Sequence, residues 1–131
     1  MNKLDDAVVF SKKYNIVFAR PVARPVIEKL ANCLIQDIGR PLAHKGVIMG
    51  HIKVLAKLTE EEFLFLSLTR MDRVDSKTSS RWPAGADDSR DGIDLDINVL
   101  VFGHDDKTIE TVVEDSLAVF RKNAIGYGLA N

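Results

Sequence analysis

Residues 93–102 alternate more strictly between apolar and polar side chains than any other part of the chain. Ile93, Leu95, Ile97, Val99 and Val101 form one set, and Asp94, Asp96 and Asn98 form the other. A period of two places these sets on opposite faces of a β-strand. One face then belongs to a core and the other to water, which is typical of an antiparallel sheet covered on one side. Other parts of the chain must therefore supply the residues that cover the apolar face of this sheet.

Two more segments predict strands, at 47–58 and 62–70. The first alternates the polar residues His51, Lys53 and Lys57 with Ile52, Val54, Ala56 and Leu58. The second places Leu64, Leu66 and Leu68 on one face and Phe63, Phe65, Ser67 and Thr69 on the other. The short polar link between them predicts an antiparallel hairpin.

Two helices are predicted, at 25–38 and 106–123, because apolar residues recur there at spacings of three and four. Pro25 suits a first helical turn, and Gly39 followed by Pro41 ends the first pattern. Near the N-terminus we predict a helical turn at 4–13 and a short strand at 14–18.

These elements predict an α+β fold, a two-layer sandwich in which two helices cover one face of an antiparallel sheet of three to four strands. The 131 residues are expected to form one domain, 1–131. Residues 71–92 lack periodicity and are predicted to be a long polar loop, a length that is usually associated with function or mobility.

Charge and composition narrow the classes of partner. Eighteen Lys and Arg stand against nineteen Asp and Glu, so no basic excess favours nucleic acid. No apolar run reaches membrane-spanning length, and carboxylates stand where a signal peptide would be apolar. The single cysteine, Cys33, fits a reducing compartment. We therefore expect a cytoplasmic protein that contacts neither nucleic acid nor membrane.

The sequence contains no phosphate-binding loop, no dinucleotide-binding glycine motif, no zinc-protease helix and no hydrolase elbow. Nothing in it identifies a cofactor. A non-enzymatic accessory or interaction domain is therefore the leading functional hypothesis.

A metal site is the alternative. Asp94 and Asp96 project from one side of a strand, as oxygen ligands of a hard cation would, and His51 and His104 are candidate ligands of a transition metal. Such a chain would be a small metal-dependent enzyme or a metal-binding protein. The competing interpretation is that alternating acids keep the open side of the sheet solvated and that the histidines are structural.

Phe63 and Phe65 suggest an interface. If the neighbouring leucines face the helices, both rings remain on the open side of the sheet, and stacking two such sheets in a homodimer would bury them. Trp82, in the predicted loop, is the third candidate interface residue, with the loop either packed over that interface or disordered.

Three segments carry a family resemblance: Gly50–Leu55, Phe63–Thr69 and Asp96–Val101 before a helix. Together, over about residues 46–120, they resemble a C-terminal segment of the CobW-type GTPases associated with cobalamin synthesis. The GTPase domain and the metal-chaperone cysteine motif of that family are missing. The resemblance therefore implies a free-standing accessory domain with a protein partner in corrinoid or metal metabolism, and it implies no catalytic residue.

Overall fold

The computed structural model describes residues 6–82 and 88–130, with side chains as far as Gly126 in the last helix. Seven elements follow one another along the chain: β1 (Val8–Ala23), α1 (Arg24–Leu42), β2 (Val47–Thr59), β3 (Glu62–Arg70), β4 (Arg73–Thr78), β5 (Ser89–Val101) and α2 (Asp106–Ala130).

The five strands form one sheet in the order β1-β5-β2-β3-β4, and every neighbouring pair is antiparallel. The predicted hairpin is confirmed, since Thr59 at the end of β2 pairs with Glu62 at the start of β3. The α+β class is also confirmed, with five strands in place of three to four.

The core lies between the sheet and the two helices. Ile97 and Val54, which pair across β5 and β2, are fully buried, as are Ile35 of α1 and Val113 of α2. Burial alternates along β5, so Asp94, Asp96 and Asn98 point away from the helices. One face of the sheet is therefore covered, and the other is not.

The helical turn predicted at 4–13 is wrong over residues 6–13, and residues 4 and 5 lie outside the described residues. β1 begins at Val8 and pairs with β5 without interruption as far as Val17, so the predicted strand at 14–18 is only part of a longer one. β1 is an edge strand, and its helix-facing side includes Lys12, whose ammonium lies 3.7 Å from Glu114 of α2. An edge strand tolerates polar residues on both faces. The apolar alternation that would have identified the strand is therefore broken.

The predicted loop at 71–92 contains strand structure at both ends. Arg73–Thr78 forms β4, and Ser89–Gly92 belongs to β5. β4 is the opposite edge of the sheet, and its residues are exposed except for the half-buried Val74. No apolar period marks such a strand. Residues 83–87 of the predicted loop lie outside the described residues.

Helix α1 ends at Leu42, four residues beyond the predicted end, and contains Pro41. Gly39 is buried in it, and a Cβ at this position would overlap the side chain of Leu68 in β3 and lie 3.0 Å from Sδ of Met71. Gly39 therefore serves the close approach of helix and sheet, and it does not end the helix. Helix α2 likewise continues past its predicted end to Ala130.

Candidate functional site

The candidate site is the open face, which we define as the surface of the sheet that the helices leave uncovered. The strand registers arrange its side chains in rows across the sheet. One row runs from Lys13 of β1 through Asp96 of β5, Leu55 of β2 and Phe65 of β3 to Lys77 of β4. Residues paired directly across antiparallel strands have Cβ atoms about 5 Å apart, so each member contacts the next.

Three apolar side chains adjoin on this face: Leu55, Phe63 and Phe65, which we call the aromatic patch. Leu55 pairs directly with Phe65, and Phe63 is the next residue along β3 on the same face. All three are half-buried, while Leu64 and Leu66 between and beside the rings are buried in the core. The prediction that Phe63 and Phe65 lie opposite the leucines is therefore confirmed.

Charged residues surround the aromatic patch. Lys57 is the cross-strand partner of both Phe63 and Asp94, and Lys53 stands two residues from Leu55 on the same side of β2. Lys57 Nζ lies 3.2 Å from Glu60, whereas the described part of the chain offers no ion pair to Lys53 or Lys77. The patch is thus an apolar area with lysine side chains at its border.

The acidic side chains of the open face already have polar neighbours. Asn15 donates a hydrogen bond of 2.6 Å to Asp94, and the ammonium of Lys13 lies 4.0 Å from Asp96. Together with Lys57 they line a depression of about 360 Å³ beside the aromatic patch. Charges of both signs line this depression, so it presents neither an anion site nor a set of cation ligands.

The structure does not bring the four candidate metal ligands together. Asp94 and Asp96 do share one side of β5, as predicted. His51 lies six residues along β2 from Lys57, the partner of Asp94, which corresponds to about 20 Å. His104 lies beside the end of helix α1, where its Nε2 is 3.1 Å from the carbonyl oxygen of Leu42. Across residues 6–82 and 88–130, no group of three or more His, Cys, Asp or Glu side chains is placed to hold a metal ion.

Trp82 does not belong to the open face, which corrects its assignment to the interface. Its side chain is 8% exposed and packs in the core with the helices. Nε1 of the indole donates a hydrogen bond to Glu28 of α1. A large apolar ring with a satisfied N–H group is well suited to this position.

The sequence interpretation missed two residues of the site, Leu55 and Lys77. Leu55 is the one apolar residue in the polar series His51, Lys53, Leu55, Lys57 that faces outward along β2. An apolar side chain at a solvent-facing register position was the signal that could have found it. Lys77 carried no signal, because β4 itself has no apolar period.

Tyr14 and Glu62 have pKa values that are shifted from their usual ranges by contacts in the structure. Burial and the hydrogen bond that Tyr14 donates to Glu114 raise the pKa of the Tyr14 phenol well above its usual value. The hydrogen bonds from Arg90 lower the pKa of Glu62, with Arg90 Nη2 2.7 Å from Glu62 Oε2. Both contacts fasten one element to another, and neither group faces the aromatic patch.

Comparisons with known proteins give no relatives. No protein-family model matches the chain, and neither the curated proteins nor the solved structures provide a significant match. Among the described helices, none combines the length and apolar character needed to span a membrane.

Proposed function

We propose that this chain is a non-enzymatic interaction domain that forms a homodimer through its open face, with the aromatic patch at the centre of the contact. The observation that carries this proposal is the placement of Leu55, Phe63 and Phe65 side by side on the face that the helices leave uncovered. Apolar area that is removed from water contributes about 25 cal/mol per Å² to association.

The charge distribution of the open face favours a second copy as the occupant. Four lysines, Lys13, Lys53, Lys57 and Lys77, share this face with three aspartates, Asp75, Asp94 and Asp96. Arg73 of β4, whose guanidinium lies 2.9 Å from Asp75, shares the same side of that strand. The face therefore carries interspersed charges of both signs, so two copies can meet with opposite charges in contact. A two-fold interface requires only one self-complementary surface, which makes it the simplest way to cover the patch.

The resemblance to the accessory segment of CobW-type GTPases supports the same functional class, because it also implies a domain without catalytic residues. A protein partner in corrinoid or metal metabolism is the part of the proposal that rests on this resemblance alone. The metal-dependent alternative gains no support from the geometry, since His51 and His104 lie far from Asp94 and Asp96.

Multi-angle light scattering at tens of micromolar protein, a range in which a standard interface holds, tests the proposal. We expect wild-type protein at twice the chain mass of 14.6 kDa. The variant Phe63→Ser/Phe65→Ser should remain folded and run as a monomer. The matched control, Val119→Ser/Ile125→Ser, removes two apolar residues that are 44% and 50% exposed on α2, and it should remain dimeric.

A monomeric wild type would refute the proposal. So would a Phe63→Ser/Phe65→Ser variant that stays dimeric, because the contact would then lie elsewhere on the molecule.

A further inference from the structure

We infer that the two copies are related by a two-fold axis that runs along the strands between β2 and β3, so that Asp96 of each copy faces Lys77 of the other. This inference rests on the proposed function, because it specifies the arrangement of the homodimer on the same open face. The strand registers determine which side chains of the two copies face each other across a given axis.

The row through the aromatic patch gives the first evidence. An axis between β2 and β3 exchanges β2 with β3 and β5 with β4. Within the row, Leu55 then faces Phe65 of the second copy, and Asp96 faces Lys77 of the second copy. Apolar groups meet apolar groups at the centre, and opposite charges meet at the border.

The neighbouring rows are also complementary about this axis. Lys57 faces Phe63 of the second copy, where its apolar stem and its ammonium group can both contact the ring. In the next row, Lys53 faces Ser67 of the second copy. None of these pairs brings like charges together.

Two other axes through the patch lack this property. An axis along β2 itself would place Lys13 against Lys77 of the second copy and Asp96 against Phe65. An axis perpendicular to the strands, along the same row, would place Asp96 against Asp96 and Lys77 against Lys77. Like charges that are directly opposed are destabilising, which disfavours both of these axes. An axis along β3 opposes no like charges, but it overlaps only three strands of each copy, sets Leu55 against Lys77 and leaves Asp96 without an opposing strand. The axis between β2 and β3 overlaps four strands of each copy and places Leu55 against Phe65, so it covers more apolar surface.

The side chains of Asp96 and Lys77 are both accessible to a second copy of the chain. Lys77 is exposed, and the residues in the described ranges give it no ion pair. The side chain of Asp96 is 25% exposed to solvent. Its carboxylate lies 4.0 Å from the ammonium of Lys13, whose side chain is 82% exposed. Such a loose surface pair holds its aspartate weakly. Asp96 can therefore accept a second lysine from across the interface.

Two charge-reversal variants, Asp96→Lys and Lys77→Asp, test the arrangement when they are measured alone and as a mixture. In Asp96→Lys, lysines oppose lysines at both symmetry-related contacts, and in Lys77→Asp aspartates oppose aspartates. Each variant alone should dimerise about tenfold or more weakly than wild type in sedimentation equilibrium. An equimolar mixture of the two restores both opposite-charge contacts, so it should form heterodimers with nearly wild-type affinity.

Matched controls carry the same charge changes on the helix side. Lys29→Asp and Asp115→Lys alter exposed positions of α1 and α2, and each should dimerise as wild type does. Circular dichroism and thermal unfolding report whether every variant folds. If Asp96→Lys does not fold, the milder Asp96→Asn combined with Lys77→Asp in one chain removes the repulsion, and it should dimerise more tightly than Lys77→Asp alone.

The outcomes separate the two claims. If both single variants dimerise with wild-type affinity while Phe63→Ser/Phe65→Ser is monomeric, the open-face dimer stands and the inferred axis is refuted. If the mixture shows no preference for heterodimers, the axis is likewise refuted. A monomeric wild type refutes both the axis and the proposed function.

Discussion

Nε1 of Trp82 donates a hydrogen bond of 2.8 Å to Oε1 of Glu28, which joins the segment after β4 to helix α1. The same carboxylate oxygen lies 3.2 Å from the guanidinium of Arg24, whose side chain is only 10% exposed. One glutamate thus satisfies an indole N–H group and compensates a nearly buried cation. This arrangement fixes Trp82 in the core, away from the open face.

Replacing Glu28 by alanine should therefore destabilise the protein by about 2–4 kcal/mol, because Arg24 is left buried without its counter-ion. Trp82→Phe removes the indole N–H group and part of the buried ring system, so it should reduce the free energy of unfolding by about 1–3 kcal/mol. Urea denaturation measures both values. A loss below about 1 kcal/mol in Glu28→Ala would show that the carboxylate does not compensate Arg24.

Gly50→Ala should be strongly destabilising. Gly50 has a φ of 140°, and a Cβ at this position would overlap the carbonyl oxygen of Leu100 on the neighbouring strand. We expect a loss of about 3 kcal/mol or more in thermal or urea unfolding. Gly126→Ala is the matched control, since nothing lies within 4 Å of its Cβ position in α2. The helix propensity of alanine should make that variant about 0.5–1 kcal/mol more stable.

Low pH should weaken the ion pair between Glu62 and Arg90. The hydrogen bonds from Arg90 hold the pKa of Glu62 below its usual value in the folded state, so the unfolded chain takes up the proton first as pH falls. The stabilising contribution is therefore present above about pH 4.3 and is lost as pH falls through the lower, folded-state pKa. Glu62→Gln should lack this contribution. A free-energy difference between wild type and Glu62→Gln that stays constant from about pH 5 to pH 3 would contradict the account.

Two adjacent residues of β5 should differ greatly in their tolerance of a new negative charge. Ile97 is fully buried between the sheet and the helices, so Ile97→Asp places an unpaired carboxylate in the core and should abolish cooperative unfolding. Asn98 points to the open face, where Ser11 donates a hydrogen bond to it, and Asn98→Asp keeps that acceptor. The second variant should unfold within a few degrees of wild type in a calorimeter.

The sequence predicts the central strands well because burial on one face forces a strict period of two. Leu64, Leu66 and Leu68 of β3 are all buried, and Phe63 and Phe65, which alternate with them, point outward. The edge strands follow no such rule. Lys12 of β1 and Ser76 of β4 occupy helix-side register positions near the rim, where polar groups still reach water.

Residues that commonly end a helix are ambiguous signals in this sequence for a related reason. Gly39 and Pro41 would end an isolated helix, yet the tertiary structure uses Gly39 for contact with Leu68 and continues α1 through Pro41. Trp82 shows the same limit at the candidate site. Its assignment to an interface followed from the polar residues around it, whereas its true partner, Glu28, lies 54 positions away in the chain.

Isotope-filtered nuclear Overhauser spectroscopy on a mixture of labelled and unlabelled protein tests the central claim most directly, because it detects only contacts between different copies. We predict intermolecular contacts from the ring protons of Phe63 and Phe65 to Leu55 and Lys57, and none from the exposed residues Val119 and Ile125 of α2. The protein would be measured at hundreds of micromolar, about the concentration at which even a weak dimer forms. Intermolecular contacts that are confined to the helices would contradict the claim that the open face joins two copies of this chain. The absence of any intermolecular contact at this concentration would contradict it as well.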